Sequence, residues 1–249
     1  MELTEKHAEL LGLTFGDGSV TQRKGTNSIR FQLRGDATTD KVHYEEFVIP
    51  LCNELIGYAI TGKQVGLVND RKNNCSGISV ESPKLKDFFE TLGFPIGKKN
   101  ELHIPHWIKK NKEFSKAFVR GLFDTDGSIY YKKNNTSKSK LHSVGFVTIV
   151  STSKNLAFDT SAILKKENIK HSCIEFRKTN GEKNFFRIEV FQPHVSEFMK
   201  IIGSHNPKHL AKFQIGQKFG FCPPRTTPEQ RQQILKGKLN PISLYAGVG

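Results

Sequence analysis

The apolar residues of this chain recur with helical and strand-like periods in a regular order. The pattern predicts a first helix, capped by Thr4, that carries apolar residues to Gly18. The elements that follow are two strands, a helix, two strands and a helix ending at Gly93, at residues 19–24, 28–34, 41–56, 64–69, 77–80 and 85–92. The order of elements is therefore αββαββα over the first hundred residues.

Strict alternation within the predicted strands separates an apolar face from a polar one. Ile29, Phe31 and Leu33 alternate with Arg30, Gln32 and Arg34, so one face is predicted to be core and the other basic. The second half contains a predicted hairpin whose strands, at 173–178 and 185–191, flank an Asn180-Gly181 turn. Its polar positions are Glu175, Arg177, Arg187 and Glu189.

A short segment at the end of the first helix is repeated in the second half. Residues 10–19 read LLGLTFGDGS and residues 119–128 read VRGLFDTDGS, with the shared positions 109 residues apart. Further matches outside this segment, such as Leu55 with Leu164 and Gly93 with Gly203, indicate duplication of a whole unit.

Each copy of the repeated segment places an aspartate at the end of an apolar helix, immediately before a glycine that we expect to form a left-handed cap. A helix C-terminus carries partial negative charge, so a carboxylate there is disfavoured unless a cation approaches it. Two such aspartates, Asp17 and Asp126, would also repel each other. A divalent metal bound by carboxylate and carbonyl oxygens would resolve the conflict. The alternative, that both are ordinary turn residues before glycine, is weakened by the duplication.

The repeated segments resemble the two signature motifs of the LAGLIDADG homing endonucleases, and the resemblance extends from about Thr4 to about Gly220. It implies an α/β (α+β) fold of two pseudo-symmetric αββαββα halves packed through the two motif helices, with a saddle-shaped antiparallel sheet surface for DNA. We expect an N-terminal repeat at residues 1–97, a surface linker at 98–115, a C-terminal repeat at 116–222 and a tail at 223–249.

The resemblance also assigns roles to residues at the motif ends. Asp17 and Asp126 match the positions whose carboxylates hold catalytic metal, and Gly16 and Thr125 match those that offer a backbone carbonyl to it. The implied cofactor is Mg²⁺, and Mn²⁺ or Ca²⁺ could occupy the same sites, Ca²⁺ without cleavage. The first motif departs from the pattern with Phe15 where the second keeps Asp124, a position outside the metal-binding one.

Basic side chains supply the candidates for contact with the nucleic acid. Lys99 and Lys208 stand at comparable points after the last helix of each half and are candidate phosphate-contacting lysines. An ordinary solvated sheet face is the competing interpretation of the basic strand positions. The candidate DNA-binding residues are Arg23, Lys24, Arg30, Gln32, Arg34, Lys132, Lys133, Arg177, Lys178 and Arg187.

Composition agrees with a nucleic-acid partner. The 249 residues carry a formal net charge of +14, spread along the chain, which favours a polyanionic partner. The chain has no apolar run long enough to cross a bilayer and no signal-peptide pattern, and its four cysteines are scattered, so we expect an intracellular protein with reduced thiols. The spacing of the histidines does not favour a zinc site.

These observations predict a monomeric, metal-dependent endonuclease that cuts double-stranded DNA at a long asymmetric target. Two alternatives on the same fold are an RNA-splicing maturase, which would bind intron RNA, and a DNA-binding regulator without cleavage. The paired aspartates favour the nuclease, because a binding protein gains nothing from two carboxylates beside a polyanion. The sequence leaves open the target and the choice between an intron and an intein as the coding element.

Overall fold

The first half of the chain forms a helix and sheet unit in the order predicted. The computed structural model describes residues 1–99, 101–133, 141–177 and 184–245. Single-turn π-helical pieces at Tyr44–Val48 and Gly57–Thr61 flank α3, so the second helix runs on beyond residue 56. The elements of this half are α1 (Glu5–Gly16), β1 (Gly18–Gln22), β2 (Ile29–Asp36), α2 (Lys41–His43), α3 (Ile49–Ile56), β3 (Val68–Asp70), β4 (Cys75–Ser82) and α4 (Leu85–Leu92).

The second half repeats this order and then adds helices at its end. Both sheets are four-stranded and antiparallel, with strand orders β1-β2-β4-β3 and β5-β6-β8-β7. The predicted fold class is confirmed, with the same strand arrangement in each half. The elements are α5 (His106–Lys110), α6 (Lys112–Asp126), β5 (Gly127–Lys133), β6 (His142–Ser151), α7 (Lys154–Lys166), β7 (Ser172–Phe176), β8 (Phe185–Phe191), α8 (Val195–Ile201), α9 (Pro207–Phe219) and α10 (Pro228–Leu235).

The helices α1 and α6 pack against each other through glycine. A Cβ atom at Gly12 would lie 2.1 Å from the carbonyl oxygen of Phe118, and one at Gly121 would lie 2.3 Å from the carbonyl oxygen of Glu9. Only residues without a side chain allow two helix backbones to approach so closely. The repeated glycines thus bring the ends of both repeated segments together.

Each sheet lays one face on the helices and turns the other outward. In the first sheet Phe31 and Ile78 are almost fully buried, and in the second Val147 and Ile188 are. The antiparallel register places the intervening residues on the opposite face, as the alternation in the sequence predicted. Because β1 and β5 begin immediately after α1 and α6, the two sheets start from the same point.

The segment joining the halves has many exposed residues, but several of its apolar side chains are buried. Leu102, Ile104 and Ile108 are buried, and the indole of Trp107 donates a hydrogen bond to the carbonyl of Leu92. The helix α6 begins at Lys112, inside the range assigned to the linker. These apolar side chains therefore anchor the segment on the core.

The C-terminal segment contains the helix α10. Helix α10 packs on α9 around a small cluster of Ile215, Cys222 and Ile234. The four cysteines form no disulfide, and no helix of the described ranges is long and apolar enough to cross a membrane. The Asn180-Gly181 turn and Lys178 lie outside the described residues.

Candidate active site

The two aspartates of the repeated segments stand where the ends of α1 and α6 meet. Asp17 follows the last residue of α1, and its N–H donates to the carbonyls of Leu13 and Thr14. Asp126 is the last residue of α6. A Cβ at Gly16 would come within 2.0 Å of the Thr125 Oγ1. The packing of the helices therefore brings the four positions that resemble metal-binding ones to one place.

The glycines after the aspartates do not form the left-handed caps expected from the sequence. Gly127 is extended, with φ −98° and ψ 166°, and the φ of Gly18 is not positive. A Cβ at Gly18 would lie 2.6 Å from the Thr14 Cα, and one at Gly127 would lie 2.2 Å from the Phe123 carbonyl oxygen. These glycines are needed for space where the chain turns from helix into strand.

Both aspartate carboxylates are in an environment that disfavours negative charge. Burial, and next the charge of Asp40, raise the pKa of Asp17 to about 6, although Lys208 and Lys99 act in the opposite direction. Burial, and next the charge of Asp17, raise the pKa of Asp126 to about 7. Among the described residues, none donates a hydrogen bond to either side chain. Two half-buried, mutually repelling carboxylates without donors fit a divalent cation, which prefers oxygen ligands.

Lys99 reaches the end of α1 from the loop after α4. Its Nζ donates to the carbonyls of Phe15 and Gly16, at 3.0 and 2.7 Å. Burial lowers the pKa of Lys99, and the charges of Asp126 and Asp17 offset part of this shift. This lysine therefore lies beside both aspartates and on the carbonyl that the resemblance assigns to metal.

Lys208 also lies at the site but has a different partner. Its Nζ donates to the Oδ1 of Asp40 at 2.7 Å, and Asn206 Nδ2 donates to the same oxygen at 3.0 Å. Asn206 Nδ2 also donates to the carbonyl of Asp124. Asp40 and Asn206 are functional candidates that sequence analysis missed. Asp40 precedes a helix and has the sequence signal of an N-cap only, and 166 residues separate it from Asn206.

A second group of titratable residues lies further along the helix interface. Glu9, Asp124 and His205 could offer three metal ligands. Their oxygens are already used, since Arg120 and His205 donate to Glu9 and the Ser204 hydroxyl and the His205 N–H donate to Asp124. Burial would raise the pKa of Glu9, but these donors lower it. We interpret the group as a hydrogen-bonded cross-link between α1, α6 and the α8–α9 loop, because Arg120 already supplies the positive charge.

The outward face of the first sheet is polar and ion-paired. Arg30 and Glu81 approach to 2.5 Å, Arg23 lies 3.3 Å from the same carboxylate, and Arg34 lies 3.6 Å from Asp70. The Gln32 amide donates to the Ser79 hydroxyl, and Lys24 is exposed. The candidate residues of the first half therefore share one side of the molecule, apart from the β1–β2 turn residues.

The candidate residues of the second half do not all share a face. The register pairs Arg187 with Ile174 on one side and Val150 on the other. Arg187 therefore lies on the outward face, as Lys132 and Glu189 do. Glu175 is opposite Phe186, a residue of the buried face, so its assignment to the outward face is wrong. Arg177 follows the end of β7 and is paired with Glu175, and Lys133 is exposed at an irregularity in β5.

Comparison with known sequences identifies the second half of the chain. Residues 113–204 match the family of LAGLIDADG-like domains. The tRNA-splicing ligase RtcB of Pyrococcus abyssi is 29% identical over 146 residues, which are 52% of this chain and 14% of that protein. An uncharacterised protein of Methanocaldococcus jannaschii is 25% identical over 181 residues, covering 73% of this chain and 61% of that protein. The matched regions are therefore less than two thirds of these relatives.

Comparison with solved structures identifies the fold over 80% of the chain. The homing endonuclease I-DmoI in complex with DNA and Mn superposes with a TM-score of 0.57 and 18% identity, covering 80% of this chain and 96% of that one. A structure of mesophilic I-DmoI variants gives the same TM-score and identity, with 80% and 95% covered. Over the residues that superpose, the chain has the fold of I-DmoI.

Proposed function

From this LAGLIDADG fold and the LAGLIDADG-like domain at residues 113–204, we propose that the chain is a site-specific endonuclease that hydrolyses double-stranded DNA with a divalent metal. The observation that carries the proposal is the pair Asp17 and Asp126, brought together at the helix ends with raised pKa values and two lysines beside them. Holding two like charges in a half-buried place costs free energy, and the cost is understandable if a cation and a phosphate complete the site.

Asp17 and Asp126 would hold Mg²⁺ with the carbonyls of Gly16 and Thr125. The bound ion supplies an activated water and neutralises the leaving oxygen. Mn²⁺ is expected to substitute, and Ca²⁺ to bind without cleavage. The protein contributes the fixed spacing of the carboxylates, because the glycine contacts between α1 and α6 leave the helix ends little freedom to separate.

The lysines would act on the phosphate. Lys99 lies beside both aspartates, and Lys208 is held at the site by Asp40. Cations in such positions stabilise the negative charge that develops on a phosphoryl group under attack. Their ion-pair and hydrogen-bond partners orient them before DNA arrives.

The outward sheet faces would bind the flanking DNA as a monomer, since both motif helices lie in one chain. A net charge of +14 predicts that affinity falls steeply with salt, with a log–log slope of about −0.9 per phosphate neutralised. The DNA in the I-DmoI complex supports the same partner for this fold. Arg34→Ala and Arg187→Ala are each expected to weaken binding.

The test compares cleavage and binding in charge-removing variants. Asp17→Asn and Asp126→Asn keep the shape of the side chain and remove the charge, so cleavage of a selected target with Mg²⁺ should collapse. Binding measured without metal should persist or tighten, because a negative charge near the phosphates is gone. Asp87→Asn, at an exposed position of α4, is the matched control and should cleave as the wild type does.

Three outcomes separate the nuclease from its alternatives. Full cleavage by the double variant would refute the metal-binding role of the aspartates. Wild-type protein that binds a selected DNA without cutting it, with any of the three metals, would indicate a regulator. Preferential binding of intron RNA over duplex DNA, again without cleavage, would indicate a maturase.

A further inference from the structure

The outward face of the second sheet is largely apolar. Register places aromatic and aliphatic side chains there from all four strands, and none of them is fully buried. Phe191 and Ile174 are 41% and 46% exposed. We call this set the aromatic face: Tyr130, Val144, Phe146, Val150, Ile174, Phe176, Phe185 and Phe191.

The rings of the aromatic face are held in fixed pairs. Tyr130 and Phe146 are stacked with centroids 5.3 Å apart, and Phe176 and Phe185 are stacked at 5.0 Å. Because neighbouring strands hold each pair, the positions of these rings are fixed by the sheet.

A cationic side chain lies over one ring of each pair. The Nζ of Lys132 lies 4.5 Å from the centroid of Phe146, and the guanidinium of Arg187 lies 4.5 Å from that of Phe176. The one outward acid of β8, Glu189, accepts a hydrogen bond from Tyr130 and lies 3.7 Å from Lys132. Register also places a row of polar residues across the middle of this outward face, namely Ser128, Thr148, Glu189 and Ser172. The aromatic face therefore consists of two apolar patches on either side of that row, each with a cation at its rings, which suits a partner that is apolar in places and negative at its edges.

The corresponding face of the first sheet is different in chemistry. Its outward positions are hydrogen-bonding residues, and the only large apolar one among the described residues is Val68. The polar positions are Ser19, Thr21, Arg30, Gln32, Arg34, Asp36, Asp70, Ser79 and Glu81. The two halves, alike in backbone, therefore present unlike surfaces.

We propose that the aromatic face binds the major groove of an A·T-rich half-site through thymine methyl groups, while the first sheet recognises its half-site by hydrogen bonds. The inference rests on the proposed function, which places duplex DNA against both sheets. The thymine C5-methyl is the apolar group that a base pair offers in the major groove. A G·C pair presents about as many hydrogen-bonding groups there as an A·T pair but no methyl group, so against these rings it would lose its hydrogen bonds to water without the gain from burying a methyl group.

The size of the effect follows from burial of a methyl group. Burying one such group is worth about 0.8 kcal/mol, which converts to roughly a fourfold change in Kd per methyl contacted. Deoxyuridine differs from thymidine only by this methyl, so it measures the contact without altering base pairing.

The experiment first selects bound duplexes from a randomised library without metal. The half-site contacted by the second sheet should be richer in A·T pairs than the other. Thymidine is then replaced by deoxyuridine in one half-site at a time, and Kd is measured by fluorescence anisotropy. We expect about fourfold weakening per methyl in the second half-site and less than twofold in the first.

A pair of variants connects this loss to the aromatic face. Phe146→Ser and Phe185→Ser should each bind the thymidine duplex more weakly and lose part of their sensitivity to deoxyuridine. Gln32→Ala, on the first sheet, should keep that sensitivity in full. Thermal melting of each variant checks that it is folded, and wild-type protein carries the decisive comparison in any case.

Two results would overturn the inference. One is an equal response to deoxyuridine in both half-sites or none in either. The other is sedimentation showing that the aromatic face joins two copies of the chain, with Phe146→Ser abolishing the dimer. Because Kd is measured without metal, a protein that fails to cut DNA refutes the proposed catalysis and leaves this test intact.

Discussion

Replacing Gly12 with alanine tests whether the glycine contacts set the spacing of the two motif helices. The added Cβ would lie 2.1 Å from the carbonyl oxygen of Phe118 and 2.9 Å from the Leu122 nitrogen. Ordinary contacts of carbon with other heavy atoms are about 3.5 Å, so the backbones must separate by roughly 1 Å. Both obstructing atoms belong to the backbone of the partner helix and cannot move aside by changing rotamer.

Two opposing effects decide whether Gly12→Ala raises or lowers the free energy of unfolding. Alanine favours a helix over glycine by about 1 kcal/mol, which alone would stabilise the variant. Forcing an extra methyl group into a close-packed interface costs about 1–3 kcal/mol, and here the upper end applies because backbone must shift. We expect a net loss of about 2 kcal/mol in the free energy of unfolding, which is a fall in Tm of about 4–8 °C for a chain of this size.

The assay is thermal and urea unfolding of Gly12→Ala beside Gly121→Ala and a control. A Cβ at Gly121 would lie 2.3 Å from the Glu9 carbonyl oxygen, so the same loss is expected there. Gly66→Ala is the control, since a Cβ at this loop position meets no atom within 4 Å and its φ is not positive. If Gly12→Ala had the same Tm as Gly66→Ala and the wild type, the close contact between the helices would not contribute to stability as proposed.

Three further predictions concern the site. Asp40→Asn should release Lys208 and slow the cutting of one strand about 10- to 100-fold more than the other, so that nicked plasmid accumulates; equal slowing of both strands would contradict this. The affinity for Ca²⁺ should fall as pH is lowered from about 8 to about 6, because protons then compete with the metal for Asp17 and Asp126. Burial raises the pKa values of these carboxyls to about 6 and about 7. Calorimetry showing the same Ca²⁺ affinity across this pH range would refute the prediction. Lys99→Met should reduce the cleavage rate at least about tenfold while changing Kd for DNA less than about threefold, and a loss confined to Kd would make it a phosphate contact only.

The order of elements and the meeting of the two aspartates could be predicted because their causes are local or repeated. Apolar periodicity determines which face of a helix or strand is buried, and the repeat reports that the two halves are built alike. Gly12 and Gly121 are informative for the same reason, since a glycine repeated within an apolar helix indicates close packing. The fold of the two halves and the packing of the motif helices were therefore accessible from sequence.

Features that depend on long-range contacts or exact register could not be predicted. Asp40 reaches the site only through Asn206 and Lys208, more than 160 residues away, and no local pattern indicates such a contact. The outward assignment of Glu175 failed because its face depends on pairing with β8, and a shift of one residue in register exchanges the two faces. The burial of Leu102, Ile104 and Ile108 in the linker was missed because its apolar residues are too few to show a period.

The internal symmetry of the molecule is kept in the backbone contacts between the motif helices and lost in the side chains of the candidate site and of the outward sheet faces. Lys99 and Lys208 occupy equivalent places in the two halves, yet the first donates to the Gly16 carbonyl and the second to Asp40. The helix after β2 is preceded by Asp40, whereas the helix after β6 is preceded by Ser153, so this place holds an acid only in the first half. Asp40 raises the pKa of Asp17 and is not among the charges that shift that of Asp126. The two carboxylates thus differ in their surroundings, as the two sheets differ in theirs, and a single chain with unlike halves suits a DNA target whose two sides differ.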